Sequence, residues 1–215
     1  MVTSAGRNGS LAAIVLAAGR STRMGEHKLL LPLGGRSLVQ YAVGAACASV
    51  LDPVIVVVGH DADAVARALP VDRYHLVRNP DYADGMSTSL RAGIAAVRAG
   101  AYCDLRGAFV LLADQPLVSA TWLNRLAREA DAFPDRIIAA TYGGRRGHPI
   151  YFPTALFPDL ERVRGDEGGR TVIERHADRL RALASERAEV ALDVDDPREY
   201  ARLAADWVRL YRDDA

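Results

Sequence analysis

An excess of charge of either sign is the plainest thing this chain lacks. Its 215 residues carry 27 Lys plus Arg against 27 Asp plus Glu, a formal net charge of zero. Without a basic surplus there is no electrostatic footprint for nucleic acid or an anionic membrane surface, and neither partner is expected. Cysteine is scarce, and the two residues, Cys47 and Cys103, belong to no metal or redox motif. That excludes a disulfide framework and reads as free thiols in a reducing cytoplasm. No apolar run is long enough to span a bilayer. Residues 1–10, Met-Val-Thr-Ser-Ala-Gly-Arg-Asn-Gly-Ser, are small and polar and read as a disordered lead-in without the apolar region of a signal peptide. Residues 11–215 are then expected to form a single domain. Half the chain is hydrophobic, enough for one substantial core but not for a second independent one. Two familiar phosphate fingerprints are missing too, since neither G-x-x-x-x-G-K-S/T nor G-x-G-x-x-G occurs.

What is present is concentrated between Ile14 and Lys28. An apolar, β-branched run ends abruptly in Ala17-Ala18-Gly19, and a loop with Arg20 and Arg23 leads to Lys28. A strand end of this kind suits a polyphosphate. Small residues let backbone N–H groups approach phosphate oxygens closely. Arg23 can offset charge as a planar fork and Lys28 as a mobile point charge.

Along the chain, short apolar runs alternate with helical patterns. Strands are expected at 12–17, 53–58, 75–78, 108–113, 137–142, 148–152 and 190–194. The runs from Val54 to Val58 and from Ala108 to Ala113 are continuously apolar, as in strands covered on both faces. Helices are expected over Ser37 to Ala48, Asp61 to Leu69, Met86 to Arg98 and Ser119 to Asp131, with a last one capped by Asp196 and begun by Pro197. This alternation predicts an α/β, doubly wound, Rossmann-like fold, mostly parallel and with helices on both faces. Beyond residue 143 the rhythm breaks around two Gly-rich loops, which are expected to carry substrate-facing elements.

Open parallel sheets bind ligands outside the carboxyl ends of their strands. That rule gathers Leu16-Ala17-Ala18-Gly19, Gly59-His60, Asn79-Pro80 and Asp114-Gln115-Pro116 on one rim. Asp114, a carboxylate after an apolar run, suits Mg²⁺. Asn79 offers both a donor and an acceptor to a base or ribose. Gly85-Met86-Ser87 opens a helix, where free N–H groups attract an anion. In Gly143-Gly-Arg-Arg-Gly-His148-Pro149, glycines admit a flat ligand and His148 can bond a phosphate or a metal. Arg170 follows two glycines at a helix start and suits an acceptor phosphate. In Asp193-Val-Asp-Asp-Pro197, strand alternation would put Asp193 and Asp195 on one face, with Asp195 a second metal contact.

These segments resemble those of the molybdenum-cofactor nucleotidyltransferases, which carry a MobA-like NTP transferase domain. Leu16 to Lys28 matches L-A/G-A/G-G-x-S-x-R-M-G-x-x-K. Asp114-Gln115-Pro116 matches D-x-P, and Asn79 to Leu90 matches N-x-x-x-x-x-G-M-x-x-S-L/I. Gly144 to Pro149, Gly165 to Arg170 and Asp193 to Pro197 match G-x-x-G-H/N-P, G-D-x-G-x-R and D-I/V-D-T/D-P. The resemblance implies a fold of the nucleotide-diphospho-sugar transferase type. It also implies a nucleotide site of Leu16, Ala17, Ala18, Gly19, Arg23, Lys28, Asn79, Gly85 and Ser87. His148 and Arg170 would meet the acceptor, and Asp114 and Asp195 would hold Mg²⁺. Leu-Ala-Ala-Gly, rather than the Leu-Ala-Gly-Gly typical of guanylyltransferases, implies CTP, with backbone groups near residues 16–18 reading the base. The reaction implied is CMP transfer to the terminal phosphate of molybdenum-loaded molybdopterin with release of pyrophosphate, followed by hand-off to an apo-molybdoenzyme or its chaperone. Three alternatives stand beside it: another small-molecule nucleotidyltransferase using GTP or a sugar phosphate, a nicotinamide-nucleotide reductase on the same fold, and a non-catalytic cofactor chaperone.

Overall fold

The structure, a computed structural model, describes residues 9–21, 24, 27–70, 73–100, 102 and 104–211. Residues 1–8 of the lead-in and Cys103 lie outside these. In chain order the elements are β1 (Leu11–Ala17), the short pair β2 (Pro32–Leu33) and β3 (Arg36–Ser37), α1 (Leu38–Ala48), β4 (Val54–Val58), α2 (Ala62–Ala68), β5 (His75–Arg78), α3 (Met86–Ala99) and β6 (Gly107–Leu112). There follow α4 (Ala120–Ala132), β7 (Ile137–Tyr142), β8 (Arg145–Pro153), α5 (Phe157–Leu160), α6 (Arg170–Arg175), β9 (Leu180–Ala184) and α7 (Pro197–Leu210). The main sheet has seven strands in the order β5-β4-β1-β6-β8-β7-β9. β1 pairs in parallel with β4 and β6, β4 with β5, and β7 with β9, while β8 runs antiparallel to both its neighbours. The chain is thus a single α/β domain on a mostly parallel sheet, as the alternation of runs predicts.

All seven residues of β1 are buried because both sheet faces are covered. Ala12, Ile14 and Leu16 join a core with Leu90, Ile94 and Val97 of α3 and Phe157 and Leu160 of α5. Leu11, Ala13, Val15 and Ala17 face the other way, into a core with Leu38, Val39 and Ala42 of α1 and Leu123 and Leu126 of α4. Strand alternation therefore feeds two cores from one apolar run. The α3 side is close enough that a Cβ at Gly93 would collide with the Ile14 side chain. Truncating Ile14 to Ala would cost about 2–5 kcal/mol on the usual scale for buried aliphatics.

The sequence expectation fails in the last third. Residues 190–194 form no strand. Ala188–Ala191 is a single 3₁₀ turn and the chain is irregular up to Asp196. The edge strand is instead β9, whose Arg181, Ala182 and Ala184 are exposed, so it lacks a continuous apolar signature. The alternation argument placing Asp193 and Asp195 on one face of a strand falls with it. Beyond this irregular stretch, α7 is pinned by aromatic packing. Trp207 stacks on Tyr211 at 4.6 Å and meets Tyr41 of α1 edge-on at 4.7 Å, contacts worth about 1 kcal/mol each beyond burial. No helix among the described residues is long and apolar enough to cross a membrane.

Candidate active site

A cleft of about 520 Å³ opens beyond the carboxyl ends of β1 and β6, where the parallel-sheet rule puts it. Of the residues singled out in the sequence, Leu16, Ala18, Gly19, Lys28, Gly85, Asp114 and Asp195 line it together. Arg23 lies outside the described residues. Ala17 is buried beneath the cleft and does not line it.

Lys28 occupies the centre. Its backbone N–H donates to Ser21 Oγ at 3.1 Å, and Leu29 beside it is buried, so the base of the side chain is fixed. The ammonium donates to Asp114 Oδ2 at 2.5 Å and to Asp195 Oδ1 at 2.9 Å. Burial opposes the lysine charge, but the Coulombic pull and hydrogen bonds of Asp114 and Asp195 outweigh it and hold the pKa above the ordinary lysine value. Asp114 is positioned by β6 through the bond from Ala113 N–H to the Leu16 carbonyl, 3.1 Å, and its own carbonyl accepts from Val194 N–H at 3.3 Å. Asp195 is positioned by the start of α7. Asp196 caps the helix, accepting from Arg198 and Glu199 N–H at 2.7 and 2.9 Å. Glu199 reaches back to accept from the N–H groups of Asp195 and Asp196. This capping box sets Asp195 at the cleft mouth.

One acceptor in this group is unsatisfied: Asp114 Oδ1 is buried with no hydrogen-bond partner among the described residues. A buried carboxylate oxygen in that state suits a hard cation. Asp114 and Asp195 therefore fit a divalent metal. Among the described residues no cluster of three or more His, Cys, Asp or Glu converges on one point, so the protein alone would supply an incomplete shell. Beside them, Gln115 Nε2 donates to Asp193 Oδ1 at 2.6 Å. Burial and the neighbouring Asp114 charge push Asp193 up to about 6.

Two expected nucleotide contacts are buried: Asn79 is bonded to its own turn and to α3, and the Ser87 hydroxyl has no partner among the described residues. Asn79 is buried, and its amide donates to Thr88 Oγ1 at 2.8 Å and Ser89 Oγ at 3.0 Å while its oxygen accepts from Asp81 N–H. Its hydrogen-bonding groups tie the 79–81 turn to α3, and Ser89, one of their partners, lines the cleft. Ser87 is also buried, on the far side of the α3 start, beside Arg91 and Arg164. The free N–H groups expected at that helix start are taken. Met86 N–H donates to Asp166 Oδ1 at 3.1 Å, and Ser87 N–H donates to the Gly165 carbonyl at 3.0 Å. Gly85 is required here by its φ of +103° and because a Cβ would come within 2.6 Å of Gly165.

His148 and Arg170 come together in an adjoining groove of about 190 Å³, floored by Val110, Ile150 and Phe152 and separated from the cleft by Met86, which lines both. Burial pulls His148 down to about 4 despite the nearby Asp114, so the imidazole is neutral at pH 7. Tyr142 OH donates to its carbonyl at 2.7 Å. Arg170 stands at the rim, bonded to Glu174 at 2.8 Å.

The sequence reading missed Arg20, Tyr82, Met86 and Asp166, all of which line the cleft. Arg20 lies 5.3 Å above the Tyr82 ring, and Tyr82 packs over Gly59 and Ala18. Arg20 was signalled only by following Gly19; Asp166 stands in the Gly165–Arg170 motif, but its contact with Met86 N–H spans 80 residues of sequence.

A strand-end cleft with paired carboxylates and an ammonium defines a nucleotidyltransferase-type site. The chain belongs to the MobA-like NTP transferase domain family, which matches residues 13–209. It is similar to the purine catabolism protein PucB of Bacillus subtilis, 31% identical across 90% of this chain and 96% of that one. It is also similar to nicotine blue oxidoreductase of Paenarthrobacter nicotinovorans, 32% identical across 88% and 94%. The molybdenum cofactor cytidylyltransferase of Escherichia coli is 25% identical across 87% and 92%. Among solved structures, a nucleotidyl transferase from Methanothermobacter thermautotroptrophicus superposes with a TM-score of 0.81 at 28% identity, covering 94% of this chain and 99% of that one. Rv0371C of Mycobacterium tuberculosis, in complex with manganese, superposes with a TM-score of 0.72 at 28% identity, covering 91% and 98%. A divalent cation thus accompanies a relative of this fold.

Proposed function

We propose that this chain transfers CMP from CTP to the terminal phosphate of molybdenum-loaded molybdopterin, releasing pyrophosphate. The observation that carries the reading is the Lys28–Asp114–Asp195 group at the ends of β1 and β6, with Asp114 Oδ1 left for a cation. Similarity to the Escherichia coli cytidylyltransferase and Ala18 in the strand-end loop point to the cytidine nucleotide. Asp114 and Asp195 would hold Mg²⁺, whose charge offsets that building on the triphosphate. Lys28, with Arg23, would meet the leaving β- and γ-phosphates. An acceptor phosphate oxygen attacks the α-phosphorus in line, forming the new P–O bond as the bond to pyrophosphate breaks. The acceptor is already ionised at neutral pH, so no general base is needed, and positioning with charge stabilisation accounts for the rate. Neutral His148 and Arg170 would orient the acceptor in the adjoining groove. The product would pass to an apo-molybdoenzyme or its chaperone in the cytoplasm.

The test is competition between CTP and GTP with the molybdenum-loaded pterin, scored by pyrophosphate release and by the nucleotide found on the product. CTP use at least tenfold above GTP in kcat/KM is expected. Equal use or a GTP preference overturns the cytidylyl assignment. The likeness to nicotine blue oxidoreductase favours one second reading, a nicotinamide-nucleotide reductase, so an NADPH arm belongs in the same assay. NADPH oxidation without pyrophosphate release would replace the transferase reading.

A further inference from the structure

The chain contains 26 arginines and one lysine, Lys28. A protein that otherwise uses arginine for its basic side chains places the exception between two carboxylates. Arginine is a broad planar fork with five fixed donors, whereas lysine is a compact point charge on a flexible stem. Of all the basic side chains, lysine's most nearly matches a bare cation in shape. Its ammonium bonds Asp114 Oδ2 at 2.5 Å and Asp195 Oδ1 at 2.9 Å, the two carboxylates that fit a divalent cation. Asp114 Oδ1 stays buried and unpartnered, so the ammonium satisfies this carboxylate only in part. Ammonium and metal draw on the same two carboxylates and, only a carboxyl group's width apart, repel each other, so they compete for the group.

We propose that Lys28 is a resident stand-in for the divalent cation: it holds Asp114 and Asp195 while the cleft is empty, and gives them up when the cation enters. Its backbone is fixed by Ser21 and by buried Leu29, so the exchange needs only side-chain rotation. Released, the ammonium faces the cleft where the triphosphate would lie. Metal and nucleotide then bind as a coupled pair, because the nucleotide offers Lys28 a new anion and the cation takes the old ones. The direction in which Lys28 departs rests on the nucleotidyl-transfer reading. The competition between ammonium and cation does not.

The probe is Mn²⁺ alone, followed by the electron paramagnetic resonance of the free ion. Lys28→Met removes the ammonium and keeps the stem. It should bind Mn²⁺ without nucleotide at least tenfold more tightly than wild type, and Asp114→Asn should reverse the gain. The second measurement uses wild type only, so it does not depend on a variant folding. Reductive methylation reports on Lys28, told apart from the N-terminal amine by peptide mass mapping. Saturating Mn²⁺ should raise the labelling rate several-fold, and added CTP should lower it again. Equal Mn²⁺ affinity in wild type and a folded Lys28→Met, or a labelling rate unchanged or slowed by Mn²⁺, overturns the exchange. If both Mn²⁺ effects appear and CTP changes neither, the exchange is upheld and the cytidylyl reading fails.

Discussion

The cleft beyond β1 and β6 and the groove beside β8 share the Met86 side chain as a wall, but they treat charge in opposite ways. In the cleft, ionised groups are kept and each is anchored. Lys28 is tied through Ser21, Asp114 through β6, and Asp195 through the α7 capping box. In the groove, the His148 imidazole over an apolar floor is driven neutral, and the charged Arg146, Glu167 and Arg170 stay exposed at its edges. A buried charge persists only when opposite charges and hydrogen bonds surround it. His148 lacks such company, with Asp114 and Arg146 acting on it in opposite senses, and burial decides. On the proposed reading, this fits a cleft built to stabilise developing charge and a groove built to recognise shape.

The sharpest way to break this contrast is Asp114→Asn. It keeps the shape and removes the carboxylate that both the ammonium and a cation need. Turnover should fall on the order of 10³-fold or more, at the upper end for losing one preorganised electrostatic contact. Lys28 retains Asp195, so the fold should persist, with a loss of about 1–3 kcal/mol. Pyrophosphate release at matched thermal stability measures the first, and chemical denaturation the second. A metal dependence of the rate identical to wild type would place the cation elsewhere.

Lys28→Ala comes next, at about 10²–10³ in turnover. It leaves Asp114 and Asp195 facing each other without the ammonium, so added divalent cation should stabilise this variant more than wild type in thermal melts. Unchanged turnover would take Lys28 out of the chemistry.

The groove answers to pH instead. His148 titrates at 6.5 when unfolded and at about 4 when folded. Between those values only the unfolded chain binds the proton, so stability from the neutral ring is complete above about pH 6.5 and drains as pH falls towards 4. The full shift corresponds to an upper bound of about 3 kcal/mol, and roughly 2 is expected for a half-buried ring. Asp193 works in the other direction. Its pKa rises from 3.8 to about 6 on folding, so acidification through that window favours the folded state. Asp193 borders solvent, so His148 should dominate. Thermal melts at pH 7 and pH 4.5 should show wild type losing more stability than His148→Gln. Equal losses would mean a solvated imidazole and no dry groove.

The same contrast explains what could be read from sequence. β1, β4 and β6 are legible because burial on both faces makes their runs continuously apolar. Asp114 is legible because a carboxylate just past such a run must sit at a strand end, and Lys28 because it closes the motif that begins at Leu16. The part Asn79 plays in the chain is not, since a polar side chain in a turn looks the same in sequence whether it holds a ligand, the chain itself or both. In the fold, Asn79 ties its turn to Thr88 and Ser89. The contact of Asp166 with the start of α3 and the pairing of the edge strand β9 depend on packing between distant segments.

Ala18→Gly should have the smallest effect. Ala18 is buried at the cleft floor, and its Cβ lies 2.9 Å from where a Cβ on Gly59 would stand, with Tyr82 closing the same spot. Removing its methyl opens room for the larger purine, and a size difference of this order is worth about 1–3 kcal/mol. Size is only part of the selection. The backbone carbonyls expected to read cytosine are partly engaged, Leu16 accepting from Ala113 N–H at 3.1 Å and Ala18 from His60 N–H at 3.3 Å. Each keeps a second lone pair for a base amino group. The Ala18→Gly change leaves that pattern in place, so the preference for CTP over GTP should narrow by about tenfold or less and not invert. Competition kinetics on the variant measure it. Complete loss of selectivity would mean that the methyl alone excludes the purine. No change would move base recognition off the first strand end and towards Arg20 and Tyr82, whose stacked pair lines the same cleft.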